Sequence, residues 1–303
     1  NPYTYLYYIE GISFAPYEAL LSIGYPPLWA LICGLMYSMY YISSGSLSQS
    51  PLVYYFLIKQ PVILGDLLVG IIFCRWFAQE KLDSALVFWI LNPMTIILSS
   101  VWGMFDSLTL ALLLLSIKFV VFDKKDSISG VLLGIATSLK LIPLIFAPIG
   151  LKFAAKKRQF ILSYSLAILL TAIFPFFVFN WSLAGFYHAM ESQAVNIREQ
   201  PAVGGMTVFG LLEPIMILWS KDLFIGPIIT PLNYLWIVAF SVFYAFLYLK
   251  PANELNYCEA IRLYIIAALL FLLTRLYIAE QYVLYVIGLM IIDVFMFHLE
   301  RKT

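Results

Sequence analysis

Charge is scarce in this chain, and the scarcity excludes whole classes of protein. Charged residues make up 12% of the sequence against 63% hydrophobic, whereas a water-soluble domain carries about 25% charge. The chain cannot coat itself for water. A basic excess is also missing: the net charge is +1, so the electrostatic footprint of a nucleic-acid binder is absent. Histidine is limited to His188 and His298, which stand apart, and cysteine to Cys33, Cys74 and Cys258. Each thiol is flanked by apolar or aromatic residues with no metal-ligand spacing, and reads as buried or lipid-facing. No Ser-His-Asp pattern, phosphate-binding glycine loop or zinc motif occurs. No soluble domain, long repeat or low-complexity segment interrupts the sequence, and no metal site is expected.

Long apolar runs are abundant. Runs of membrane length fall at about 26–43, 52–76, 84–101, 104–122, 127–150, 160–180, 232–249, 259–276 and 282–298. A shorter apolar piece at 207–219 suits a re-entrant segment. The expected fold is all-α: a polytopic transmembrane helix bundle of about eight to ten segments, some broken or re-entrant. It is read as one transmembrane domain over residues 1–303. The 24 Phe, 21 Tyr and 7 Trp suit lipid contact and interfacial belts, and a stacking surface for a sugar or isoprenoid would use only a few of them.

Lone charges interrupt or border these runs: Lys59, Asp66, Asp106, Lys140, Arg275 and Glu280. An acidic or basic side chain near a bilayer centre costs about 3 kcal/mol even on lenient scales. Such residues persist where they face protein or a wet cavity, so the polar chamber they imply is where function is sought. Lys59 and Asp66 are seven apart and share a helix face. They read either as registry inside the bundle or with Lys59 holding an anion near a mouth. Asp106 with Arg275 reads either as a structural ion pair or as a grip on sugar hydroxyls. His298 suits an interface. His188, in the polar 181–206 loop, is a substrate-contact candidate, and that long loop suits a lid.

Basic residues orient the chain. Lys124 with Lys125, Lys152 through Arg158, Arg75 with Lys81, Lys250 with Arg262, and Arg301 with Lys302 are placed on the cytoplasmic side. Residues 102–107, the 181–206 loop and the 275–281 connection then fall outside. Residues 127–150 lie between two cytoplasmic loops. Either they form two half-helices, 128–139 and 141–151, broken at Lys140, or one tilted helix with Lys140 snorkelling. The first stretch carries a similar conflict: either 26–43 is re-entrant, or Arg75 and Lys81 break the charge rule.

These motifs together resemble GT-C integral-membrane glycosyltransferases, above all the prokaryotic relatives of the GPI-anchor mannosyltransferases. Asn1-Pro2-Tyr3 followed by Tyr25-Pro26-Pro27-Leu28 resembles the family's first external loop running into a membrane helix. Lys59-Gln60-Pro61 through Asp66-Leu67-Leu68 resembles its next helix. Asn92-Pro93 and then Trp102-Gly103-Met104-Phe105-Asp106-Ser107 resembles a motif with Gln where Met104 stands. Leu139-Lys140-Leu141-Ile142-Pro143 and Glu280-Gln281-Tyr282 complete the series.

The resemblance implies inverting transfer of a hexose, mannose foremost, from a polyprenyl-phosphate-linked donor to a lipid, glycan or protein acceptor. It implies the extracytoplasmic face of a prokaryotic plasma membrane, no metal, and no cofactor beyond the donor. Lys140 and Arg275 would contact phosphate. Asp106 and Glu280 would hold hydroxyls or orient those cations, and Asp66 would support the cavity wall. Tyr25, Lys59, Trp102, His188 and Gln281 complete the substrate-binding candidates. The family's catalytic carboxylate lies just before the Asn-Pro-Tyr-like turn. The expectation is that residues 1–25 are part of the first external loop, that a first helix precedes Asn1, and that the general base lies upstream. Glu10 and Glu18 are the candidates within the chain. A transporter or lipid flippase, or a noncatalytic subunit, are the alternatives.

Overall fold

The structure is a computed structural model that describes residues 26–44, 51–76, 82–179, 204–205, 234–251, 255–275, 277–278 and 280–300, together with 181, 183, 184, 186 and 187. Tyr25, His188, Glu10, Glu18, the 207–219 piece, most of the 181–206 loop and the side chains of Glu280 and His298 lie outside the described residues. The chain divides into two compact units, residues 1–191 and 192–303.

The first unit is helical throughout its described part. Its helices are α1 (Pro27–Ser44), α2 (Pro51–Trp76), α3 (Leu82–Ile90), α4 (Pro93–Val101), α5 (Asp106–Phe122), α6 (Asp126–Leu139), α7 (Ile142–Phe153) and α8 (Lys157–Val178). The second unit holds α9 (Leu235–Leu249), α10 (Tyr257–Thr274) and α11 (Val283–Glu300). It also has a two-residue parallel pairing of β1 (Gly204–Gly205) with β2 (Tyr277–Ile278). The fold is the all-α polytopic bundle expected. Phe56–Arg75, Lys157–Val178 and Tyr257–Thr274 are long and apolar enough to cross a membrane, and α4 with α5 makes a fourth candidate span bent by 117°. Shorter apolar helices supply the rest of the bundle.

One expected run is divided. Residues 84–101 read as a single segment, but the chain stops at Ile90 and restarts at Pro93. Proline has no N–H for the ladder. Asn92 stands as the N-cap, its side chain accepting the Met94 N–H at 2.9 Å. α4 then widens into a π-turn over Ile96–Val101, where the Trp102 N–H reaches back to the Ile97 carbonyl. Wide turns of this kind gather at functional positions. Gly103 adopts φ 72° in the bend that follows, a conformation that glycine reaches without steric cost.

Lys59 and Asp66 of α2 touch successive residues at the end of α4, so α4 runs against α2, and the 117° bend turns α5 back. α5 and α6 are antiparallel: Ser116 and Ser129 hydroxyls each donate to the other's carbonyl, at 3.0 and 2.8 Å. α6 and α8 run in the same direction. Gly130 faces Phe160 and Ser163, Gly134 faces Tyr164 and Ala167, and the Thr171 hydroxyl donates to Ser138 at 2.7 Å.

That register decides between the two readings of 127–150. Lys140 is extended (φ −154°, ψ 139°) between α6 and α7. The Lys156 N–H donates to Asp126 Oδ2 at 2.6 Å, so the chain returns after α7 to where α6 began. One continuous helix over that stretch would separate its ends by roughly 40 Å. The segment is therefore two half-helices broken at Lys140. By its alignment with α8, the break lies roughly 25 Å along the bundle from the Lys156–Arg158 turn.

The same register groups the basic residues. Arg75, Lys124, Lys125 and Lys156 through Arg158 lie toward one end of the unit, and Asp106 and Lys140 toward the other. Trp29, near the start of α1, stacks on Phe105 and shares a buried cluster with Val62.

Candidate functional site

Four helix ends converge on the middle of α2 in the first unit. α1 supplies Trp29 and Ala30, α2 Ile58 and Val62, the start of α5 Phe105, the end of α6 Leu139, and the end of α8 Phe176 with Trp181 beyond it; all lie in one buried cluster. Charged side chains enter at its edge, where interrupted helices leave backbone groups and dipole ends to be satisfied.

Asp106 lies in the first turn of α5 and is fully buried; Lys140 caps the end of α6 and is 3% exposed. The ammonium donates to both carboxylate oxygens, at 2.7 and 2.9 Å. A carboxylate at a helix start and an ammonium at a helix end are each on the favourable side of the helix dipole. The same ammonium stands 5.5 Å from the centre of the Phe105 ring, and Phe105 stacks on Trp29 at 3.9 Å. The partner of Asp106 is thus Lys140. Arg275 belongs to the other unit.

A second polar group holds the bend from behind. Lys59 Nζ donates to the carbonyls of Ser100 and Val101, at 3.1 and 3.4 Å. These are last-turn carbonyls with no helical donor left. Asp66 Oδ2 accepts from the Ser99 hydroxyl, while its Oδ1 is buried without a partner. Beyond the bend, the Ser107 hydroxyl donates to the Val62 carbonyl at 3.3 Å. α2 therefore grips the chain on both sides of residues 102–106. Lys59 and Asp66 do share a face, and that face is turned to the bend; the Lys59 ammonium is engaged with backbone carbonyls. Trp102 is 43% exposed at the end of α4.

In the second unit, Arg275 follows α10 in extended backbone (φ −84°, ψ 141°). Its guanidinium lies 5.5 Å from the Trp236 ring centre and 5.7 Å from that of Phe271. Burial lowers its pKa from the ordinary arginine value and Tyr282 partly offsets this; arginine remains charged regardless. Gln281 is buried in the short 3-10 turn before α11. At the opposite ends of these helices, Arg262 bridges to Asp293 at 3.0 Å and Lys250 to Glu259 at 3.2 Å. So Lys250 and Arg262 gather away from Arg275, as the sequence pattern implied.

Sequence reasoning brought forward Asp106, Lys140, Lys59 and Asp66, and these four stand around one bend. It named Trp29 and Ser107 only as members of the Tyr25–Trp29 and Trp102–Ser107 motifs, with no role of their own, and did not single out Ser99 or Asp126. Among the described residues no group of three or more His, Cys, Asp or Glu is placed to hold a metal.

The fold and site define a polytopic membrane protein whose charges sit at broken helix ends within apolar packing. Residues 25–275 match the model of glycosyltransferase family 87, and the chain belongs to that family. It is a membrane glycosyltransferase. No curated protein and no solved structure matches it.

Proposed function

We propose that this glycosyltransferase moves a hexose, mannose foremost, from a polyprenyl-phosphate donor to a lipid, glycan or protein acceptor, with inversion, on the extracytoplasmic face of a prokaryotic plasma membrane. The observation that carries this reading is the buried Asp106–Lys140 pair at a double helix break, at the end of the unit away from the Lys156–Arg158 turn. A lipid-borne donor delivers its phosphate at the depth of such a break, where irregular backbone is tolerated against protein or water.

In this reading the lipid phosphate is the leaving group, and the protein's task is to position it and to balance its charge. Asp106 orients Lys140, and Lys140 meets the phosphate. Arg275, which in its own unit lies beside the Trp236 and Phe271 rings, is kept as a phosphate contact on the family resemblance, with the bidentate geometry a guanidinium offers. Lys59 and Asp66 act on the substrate indirectly, by fixing the 102–106 bend. Glu280, Gln281, Tyr25, Trp102 and His188 remain contacts to sugar or acceptor, with Glu10 and Glu18 the candidate carboxylates for taking the acceptor proton. No metal or further cofactor enters this scheme.

The experiment is transfer of labelled mannose from polyprenyl-phosphate-mannose by protein in lipid nanodiscs, with Lys140→Met alongside. Transfer by the wild type, and a fall of about a hundredfold or more per folded molecule in the variant, assayed below its lowered thermal midpoint, supports the reading. Transfer from a nucleotide sugar alone overturns it.

A further inference from the structure

We infer that Trp29 is a donor-binding residue whose indole N–H hydrogen-bonds an oxygen of the sugar-phosphate head. This rests on the proposed function only for the identity of the donor. Trp29 is 3% exposed, and its Nε1 has no hydrogen-bond partner. An indole nitrogen is a donor only, and a buried tryptophan ordinarily finds an acceptor for it. Phe105 does not serve. The two rings stack at 3.9 Å with 16° between planes, so the N–H, lying in the plane of its own ring, runs alongside Phe105 and not into its face.

The place of this donor gives it meaning. Phe105 bears the Lys140 ammonium 5.5 Å from its ring centre, and Lys140 is held by Asp106. The unsatisfied N–H is therefore one ring away from the buried ion pair, in the cluster where α1, α2, α5, α6 and α8 meet. Hydroxyl and phosphate oxygens of a donor would supply the acceptor that no described residue gives this N–H.

An internal control exists. Trp89 Nε1 is likewise buried without a partner, but Trp89 packs edge-on against Phe73 between α2 and α3, towards the Arg75 end. An unsatisfied indole alone is thus not a site here; one beside the ion pair is.

The test compares wild type, Trp29→Phe and Trp89→Phe in nanodiscs, each with polyprenyl-phosphate-mannose and with GDP-mannose. Phenylalanine keeps a stackable ring and deletes the N–H. Loss of one hydrogen bond to a charged or polar head should raise KM for the working donor about tenfold in Trp29→Phe. Trp89→Phe should leave KM unchanged, and thermal midpoints of both variants separate the cavity cost of the smaller ring from the change in KM. Trp29→His, which retains a ring N–H, should recover part of the affinity. Inhibition by polyprenyl phosphate without sugar tells the two oxygens apart: weaker inhibition of Trp29→Phe assigns the contact to phosphate, unchanged inhibition to the sugar. Equal KM in Trp29→Phe and Trp89→Phe overturns the inference. If only GDP-mannose is turned over, the lipid-donor reading falls, and Trp29 is judged on that donor. Should Trp29→Phe not fold, 5-fluorotryptophan labelling replaces it: the donor must shift the Trp29 resonance and leave that of Trp89 in place, and an unmoved Trp29 signal overturns the inference.

Discussion

Lys140 and Asp106 are 34 positions apart in sequence, yet one ammonium binds both oxygens of one carboxylate, at 2.7 and 2.9 Å, with almost no exposure to solvent. Desolvating both charges is expensive, and breaking such a pair from one side leaves a buried charge alone, at about 3–5 kcal/mol. Lys140→Met and Asp106→Leu should each lower the thermal midpoint sharply. The double variant Lys140→Met with Asp106→Leu should regain much of that stability and no transferase activity. A double-mutant cycle by thermal denaturation, run beside the transfer assay, checks both halves.

The re-entrant arrangement of α6 and α7 makes a topological prediction. Single cysteines at Lys125 and Lys157, introduced after removing Cys33, Cys74 and Cys258, should label with an impermeant maleimide from the same side of the membrane. A cysteine at Trp102 should label from the opposite side. Labelling of positions 125 and 157 from opposite sides would mean a single crossing in place of the half-helix pair.

Close packing of α2 on α5 depends on Gly65, where an added Cβ would run into the backbone of Leu108. Backbone cannot rotate aside as a side-chain tip can, so Gly65→Ala should destabilise by about 1–3 kcal/mol. At Gly134 the new Cβ would meet Ala167 Cβ at 2.6 Å and the Tyr164 carbonyl at 2.7 Å. Gly134→Ala should therefore loosen α6 from α8 by a similar amount. Thermal midpoints in one detergent, compared with Gly34→Ala where nothing lies within 4 Å, give the measurement.

Lys59 reaches two carbonyls with a flexible, half-buried chain. Lys59→Met should cost about 1 kcal/mol and lower kcat more than it raises KM, because the bend that sets Asp106 loosens. Lys59→Arg, which can still reach the carbonyls of Ser100 and Val101, should restore most of the rate. A rise in KM alone would point to direct substrate contact by Lys59.

Much of the bundle was legible because apolar runs and helices share one cause: a bilayer-length stretch must satisfy its backbone internally. The runs at 52–76 and 104–122 lie within two residues of α2 and α5. The break at Lys140 was legible as one of two options, since a charge beside Pro143 disfavours a continuous helix. The break at Asn92-Pro93 was not foreseen, because the flanking residues are apolar on both sides and only the cap geometry marks it. The pairing of Asp106 with Lys140 was hidden for another reason. Spacing along a chain says which residues share a helix face, but which helix ends meet is set by packing. Trp29 was legible only as the end of the Tyr25–Trp29 motif, and its buried indole N–H beside the ion pair is a matter of packing that the sequence does not show.

The central claim is that charges at the broken helix ends serve transfer from a lipid phosphate. The most direct measurement is single-turnover transfer of radiolabelled mannose from polyprenyl-phosphate-mannose to membrane acceptors, by wild type and by the stability-restored Lys140→Met, Asp106→Leu double variant. The account predicts label in the acceptor fraction with the wild type and none above background with the folded double variant. Equal transfer by the two, or transfer by the wild type from GDP-mannose only, would contradict it.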